Sequence, residues 1–407
     1  MTLIRFVREN TLFLSAGMLL SFSSSFGQTY FISLFAGVIR NEFGLSHGAW
    51  GGIYTVGTTA SALVMIWAGG LTDRFRVRHL GAISTGLLAL SCLAMAAVPG
   101  PMALIVVIFV LRFFGQGMMS HLSVVAMARW FMATRGRALS ISAMGFSLGQ
   151  AVLPVIFVAL LAVFNWRVLW VIAAAALLLS LPILFRLLKA ERTPQSIAES
   201  TASLGMEGRH WTRNQVWRHW LFWLAIPLLL GPPAWGTALF FQQVHLTEIK
   251  GWALIDYVAL LPIYTIAGVT ATFVSGALVD RIGTGRLMQV FLLPFAAGFY
   301  VLSQSQTLMG AGIGLILIGI GTGGQATVPN AFWAEYYGTR HLGSIKALAA
   351  SIMIFGSAIG PGISGVLIDQ GLDFAEQSAG IAVYFLLAAL IVSFGVRPAR
   401  RMLPDAA

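Results

Sequence analysis

From Leu80 to Leu111 the chain runs without one charged side chain, and from Trp50 to Ala68 it does so again. Between these runs lies a compact basic stretch, Gly69-Gly70-Leu71-Thr72-Asp73-Arg74-Phe75-Arg76-Val77-Arg78-His79. An apolar run of roughly 20 residues is long enough to span a bilayer as a helix, whereas a loop this charged cannot lie in hydrocarbon. The chain must therefore return repeatedly to a membrane surface. Its composition agrees: 58% of the 407 residues are hydrophobic, 10% are charged and the mean hydropathy is +0.84. Soluble domains carry about 25% charged residues. At about 30 residues per span and loop, the length accommodates on the order of twelve spans.

The apolar periodicity predicts spans over 11–39, 50–71, 80–98, 102–128, 138–162, 168–186, 219–245, 252–278, 287–304, 308–333, 343–367 and 378–396. The run after Glu9 is read as the first span and not as a cleavable leader. With a cytoplasmic N-terminus, 21 of the 25 Lys and Arg fall on the cytoplasmic side. Only Arg40, Arg167 and Lys250 fall outside, and Arg112 lies within the membrane. That bias predicts cytoplasmic N- and C-termini. It also makes the net charge of +11 a topology signal and not a nucleic-acid footprint. A single cysteine, Cys92, excludes an internal disulfide. The polar segment 187–218 reads as a cytoplasmic linker between an N-terminal six-helix bundle, 1–186, and a C-terminal bundle with its tail, 219–407.

The basic stretch has a twin. Gly69, Leu71, Asp73 and Arg74 map onto Gly276, Leu278, Asp280 and Arg281, each 207 residues on. Gly115-Gln116 maps onto Gly324-Gln325 at an offset of 209. Two parallel half-repeats of this kind predict two pseudo-symmetric bundles rocking around a central site.

These residues resemble the major facilitator superfamily. Gly69 to Arg78 is similar to its signature loop between spans two and three, and the second copy falls between spans eight and nine as in that family. Arg76 stands where the pattern has glycine. Arg112 to Gly117 resembles the span-four motif R-x-x-x-Q-G. Trp130 to Leu139 with Gly145 and Gly149, Phe240 to Val244, and Trp333 to Gly343 resemble a bacterial branch related to monocarboxylate and oxalate/formate transporters. The resemblance implies an all-α membrane protein with twelve transmembrane helices in the major facilitator fold, working by alternating access. Span one has no acidic residue and span eight no Lys or Arg, so the branch's substrate is not carried over with it.

Arg112 is the most informative single residue. A cation at this depth costs at least ~3 kcal/mol, and all 14 acidic residues fall at span ends, in loops or in tails. One reading is an anion site, in which a substrate carboxylate completes the pair; the other is helix packing against carbonyls and amides. Ser25 and Gln28 share a face of span one with Ser21, and Gln116 shares a face of span four with Arg112. Trp235 and Gln242 align on span seven, and Gln325 with Pro329 on span ten. Tyr30, Gln150, Tyr264 and Asn330 are further cavity candidates. His121 is the one mid-span histidine and a candidate for proton coupling. Asp73 with Arg74 reads as a gate, with Arg129 and Arg137 as partners and Asp280 with Arg281 as the second copy. Gly145, Gly149 and Pro154, and Gly356, Gly360, Pro361 and Gly362, are expected to allow close approach and bending.

The pattern predicts a secondary transporter of a small organic anion, monomeric, in a bacterial inner membrane, with the bilayer and a co- or counter-transported ion as its other partners. A multidrug or hydrophobic-compound exporter of the same fold is the alternative, and a non-transporting receptor a weaker one. Neither a catalytic triad nor a metal-spaced Cys/His cluster is legible, so no enzyme, cofactor or metal is expected.

Overall fold

The computed structural model describes residues 3–69, 71–131, 134–188 and 204–403, and among them every regular element is a helix. The first crossing element, α1, is Thr11–Gly27, carried on past Gln28 by the short pieces Thr29–Ile32, Ser33–Phe35 and Ala36–Phe43. Eleven further helices are long and apolar enough to cross a membrane. In the first half these are α2 His47–Ala68, α3 Val77–Ala96, α4 Pro101–Trp130, α5 Gly136–Leu161 and α6 Trp166–Leu187. In the second they are α7 Trp220–Phe241, α8 Leu254–Ile282, α9 Thr284–Gln304, α10 Leu308–Tyr337, α11 Ser344–Asp369 and α12 Phe374–Arg400. The chain forms two compact units, Met1–Glu199 and Ser200–Ala407. Of the segment read as a linker, 189–203 lies outside the described residues and 204–218 belongs to the second unit.

The half-repeat is visible in where helices start and stop. His47 and Leu254, Val77 and Thr284, and Pro101 and Leu308 open crossing helices 207 residues apart, and Trp130 and Tyr337 close them at the same offset. Gly44 at φ 61° ends Ala36–Phe43, and Gly251 at φ 66° ends Gln243–Lys250. Each takes a left-handed turn that only glycine adopts without strain. At this register Gln116 sits opposite Gly323, so the match of Gly115-Gln116 with Gly324-Gln325 is two residues out of step with the helices.

The same pairings recur in each unit: α1 with α5 and α7 with α11, α3 with α6 and α9 with α12, α2 with α4 and α8 with α10. Small residues make the first pairing close. A Cβ on Gly145 would run into the Met18 carbonyl, and one on Gly360 into the Ala234 carbonyl.

The two turns of the signature loops differ. Arg76 caps α3 in an extended conformation (φ −68°, ψ 143°), whereas Gly283, its counterpart, has φ 78°. Arginine at 76 is therefore accommodated by an ordinary backbone and not by strain.

At the end opposite the signature loop, a latch holds the first unit together. Arg167 donates to Glu42 (2.6 Å) and to the carbonyls of Ala96 (2.7 Å) and Val98 (3.0 Å), while Trp166 donates to Glu42 at 2.7 Å. The cation thus satisfies the last carbonyl of α3 and one just beyond it, and ties them to the piece Ala36–Phe43 that ends the first crossing. In the second unit Lys250 reaches Ser303, the counterpart of Ala96, at 3.1 Å. Bonding to Arg167, and after it to Trp166, holds the Glu42 carboxyl below its ordinary value. A lowered folded-state value contributes stability above the unfolded-state value and loses it as pH falls through the folded one. The apparent unfolding midpoint of the wild type should therefore fall more steeply below about pH 4 than that of Glu42→Gln. Parallel pH profiles would show that the latch carries no stability.

Candidate functional site: a buried arginine at a broken helix

Two irregularities in the first unit have no counterpart in the second, and they touch. The first is in α1. Ser23 to Gly27 is a run of weak helix formers; the Ser24 hydroxyl donates back to the Ser21 carbonyl at 2.6 Å, competing with the helical ladder. Ser24–Gly27 tightens into a 3₁₀ turn and Gln28 leaves the helix altogether at φ −87°, ψ 153°. Phe31 N–H, which a continuous helix would direct to Gly27, bonds the Gln28 carbonyl instead (3.1 Å). The Gly27 carbonyl is thereby released from the ladder. At the matching place α7 runs unbroken through Ala234 and Trp235.

The second irregularity is in α4, where Arg112–Met119 is π-helical; α10 is regular throughout. Gly27 and Gly115 bring the two irregularities together so closely that a Cβ on Gly115 would lie 2.8 Å from the Gly27 nitrogen. A widened turn and an interrupted turn thus meet where neither helix carries a side chain.

Arg112 opens the π-helical stretch and is 1% exposed, the one charged side chain that is buried among the described residues. Its Nη1 donates to the released Gly27 carbonyl at 3.0 Å. Its guanidinium lies 5.4 Å from the centroid of the Tyr54 ring on α2. Its Nε has no hydrogen-bond partner. A charged hydrogen bond worth ~1.5–3 kcal/mol and a desolvated cation–π contact of about 2 kcal/mol offset the cost of ~3 kcal/mol for placing the cation here. The Tyr54 hydroxyl bonds that of Thr29, the first residue beyond the break. Arg112 thus holds one side of the break and its aromatic neighbour holds the other. Rings keep the outer piece in place: Phe31 packs edge-on against Phe157 (4.7 Å) and Trp170 (5.3 Å).

Ser25 and Tyr30 flank this break, and a Cβ on Gly149 of α5 would meet both of their hydroxyls. Gln28 and Gln150 are buried and Gln116 half-buried. None of these three amides makes a side-chain hydrogen bond among the described residues, so their donors and acceptors remain available. In the second unit, the Trp235 Nε1 and Gln242 Nε2 atoms are buried without partners. The Tyr264 hydroxyl is engaged with Thr322 at 3.1 Å. Gln325 is half-buried, and Asn330 is exposed and bonded back to Ala326 at 2.9 Å, on its own helix.

His121 lies nine residues beyond Arg112 on α4, against the signature loop. Its Nε2 is 3.2 Å from the Gly69 carbonyl and 3.4 Å from the Thr72 hydroxyl, which itself donates to Gly69 at 2.8 Å. Arg129 donates to the Thr72 carbonyl. His121 thereby grips the end of α2, and Arg129 the signature loop just beyond it. Arg137 is exposed; the side chains of Asp73 and Arg74 lie outside the described residues. In the second copy, Asp280 and Arg281 are exposed and form no ion pair among the described residues. There a carboxylate takes over: Glu335 of α10 accepts from Thr284 N–H, the first of α9, at 3.2 Å. Thr29, Tyr54 and Glu335 carry no sequence signal of their own that singles them out as site residues; Glu335 is one of the acidic residues at span ends. The only signal for Tyr54 is the need of a buried guanidinium for a neighbour.

The sequence matches the Major Facilitator Superfamily over residues 17–307 and 259–406. It is 25% identical over 393 residues to an uncharacterized 38 kDa protein in a 23S RNA operon of Thermoproteus tenax, covering 96% of this chain and 97% of that one. Its fold superposes on an inward-facing, unoccupied bacterial homologue of the human lysosomal transporter Spinster with a TM-score of 0.72, at 16% identity, over 98% and 99% of the two chains. The nucleoside transporter NupG gives a TM-score of 0.70 at 13% identity, over 95% and 99%. The chain belongs to the Major Facilitator Superfamily, a multi-pass membrane transporter of that fold.

Proposed function

We propose that this transporter moves a small organic anion, whose carboxylate pairs with Arg112 during alternating access. The observation that carries the reading is the state of Arg112: buried, without a carboxylate, and bonded to a carbonyl that a break in α1 has released. A carboxylate is a stronger acceptor than a neutral carbonyl, and charge-assisted bonds are roughly twice as strong as neutral ones. The guanidinium therefore exchanges Gly27 for the substrate, and the break in α1 relaxes. The free amides of Gln28, Gln116 and Gln150 and the hydroxyls of Ser25 and Tyr30 serve the rest of the ligand. Trp235, Gln242, Tyr264 and Gln325 are the contribution proposed for the second bundle. Asn330, bonded to its own helix, is the weakest member of the set.

In this reading the bundles are 1–186 and 219–407, joined through 187–218. The protein works as a monomer in a bacterial inner membrane with both termini cytoplasmic, and it resembles the monocarboxylate and oxalate/formate branch. Asp73 and Arg74, with Arg129 and Arg137, form the gate at the basic end, and Asp280 with Arg281 its counterpart. Arg129 on the Thr72 carbonyl supports that assignment. An exporter of hydrophobic compounds is the second reading. It is favoured by the ring cluster beside Arg112, where Phe113 stacks on Phe109 (6.0 Å) and meets Phe114 edge-on (4.9 Å).

A thermal-shift screen against mono- and dicarboxylates, amino acids, sugars and cationic drugs should give its largest stabilisation with a carboxylate, because a ligand of the folded state raises the midpoint by mass action. Arg112→Ala should then abolish uptake of that carboxylate into proteoliposomes, and Arg112→Lys should lower it about tenfold, since an ammonium lacks the planar fork. Normal uptake by the alanine variant would sink the anion reading. Tyr54→Phe keeps the ring under Arg112 but releases Thr29. It should leave the Kd within about twofold and cut turnover several-fold; a matching loss of affinity would remove Tyr54 from the conformational step. His121→Gln retains a donor for Gly69 and should preserve proton-driven accumulation. Its loss there, with binding intact, would instead make His121 the proton carrier.

A further inference from the structure

The segment that leads into α7 carries a surface that the transport reading does not use. It begins with Thr212, whose side chain and Gln215 form a capping box for the short helix Arg213–Arg218. One side of this helix is fixed to the second unit. Val216 is fully buried, and the neighbouring Trp211 is nearly so. Trp211 N–H donates to the Tyr337 carbonyl at the end of α10 at 3.0 Å, and its ring packs edge-on against Tyr337 at 5.5 Å. The other side is open. Arg213, Asn214, Gln215 and Arg218 are exposed. Beside them, Trp217, Trp220 and Trp223 are 45%, 41% and 48% exposed. Trp217 and Trp223 pack edge-on at 4.9 Å, and Trp223 Nε1 donates to the Trp217 carbonyl at 2.8 Å.

Charge and position decide what covers this face. It sits where a crossing helix begins, the level at which tryptophan rings lie among lipid headgroups. Its arginines are uncompensated. Arg213 and Arg218 form no ion pair among the described residues, and no Asp or Glu occurs in the sequence between Glu207 and Glu248. Glu207 is already taken by Arg209, at 2.7 Å. Burial lowers the titration of His219 from its ordinary value, so this histidine adds little to the positive charge at neutral pH. Two guanidiniums on one short helix, beside an indole shelf, present forked donors to phosphate oxygens and a flat apolar bed to glycerol and the first acyl methylenes.

We propose that Arg213, Arg218 and the indoles of Trp217, Trp220 and Trp223 form a binding site for an acidic phospholipid headgroup, which anchors the start of α7. Net negative charge is part of the requirement, because the phosphate of a zwitterionic lipid is offset by its own ammonium. Each arginine near an acidic lipid surface contributes about fivefold.

The test uses the full-length protein in detergent, titrated with phosphatidylglycerol or phosphatidylcholine and read by native mass spectrometry as retained lipid. The wild type should retain phosphatidylglycerol in at least tenfold preference to phosphatidylcholine. Arg213→Gln/Arg218→Gln should lose most of that preference while keeping the wild-type midpoint of thermal unfolding in lipid-free detergent. Arg209→Gln removes one positive charge, from an arginine already paired, and should leave the preference within about twofold. Equal retention of the two lipids by the wild type would overturn the proposal. So would an Arg209→Gln loss as large as that of the double variant, which would reduce the effect to net charge.

Discussion

The hydrogen bond from Arg112 to Gly27 joins the features that make this chain more than two copies of one bundle. A guanidinium in the interior needs strong acceptors, and in a regular helix each carbonyl is already engaged by the N–H four residues on. The serine and glycine run at 23–27 supplies one by letting α1 break. The π-helical stretch of α4 and the glycines at 27 and 115 let the donor approach. Break, bulge and cation depend on one another: without the break the cation lacks its carbonyl, and without the cation the released carbonyl is buried and unsatisfied, at about 1–3 kcal/mol.

The comparison of the halves sharpens this. Helix starts and the glycine turns at 44 and 251 keep an offset of 207. The second half has glycine, 319 or 321, wherever the counterpart of Arg112 is placed. α10 stays regular and α7 runs past the position of the break. The duplicated loops have diverged in charge as well. On α4 a histidine binds the end of α2 and an arginine the loop beyond it; on α10 it is a carboxylate that binds the start of α9. Each suits the helix end it faces, hydrogen-bond donors at free carbonyls and an anion at an N-terminus. The two halves thus share a scaffold and divide the chemistry.

Much of the scaffold was legible in the sequence because it rests on long-period signals: uncharged runs, the Lys and Arg asymmetry and a repeated motif. Arg112 stood out because a mid-span cation is costly whatever surrounds it. What stayed hidden depends on tertiary contact. The break at Gln28 follows from a serine and glycine run that also occurs in intact, closely packed helices. Tyr54 and Thr29 belong to different spans, and only folding brings their hydroxyls together. The glutamine match at 116 and 325 misled by two residues, since residue identity and helix register need not coincide. Arg76, in the place of a pattern glycine, changed only the local turn.

The central claim is that a carboxylate at Arg112 acts on the break in α1. Hydrogen–deuterium exchange on the reconstituted protein, with and without the carboxylate that stabilises it most, tests this directly. The account predicts a larger ligand-dependent change at the amides of 27–32 and 112–119 than at the counterpart stretches 234–239 and 319–326. Equal changes in both halves, or none around Gly27 and Arg112 with the ligand bound, would contradict it.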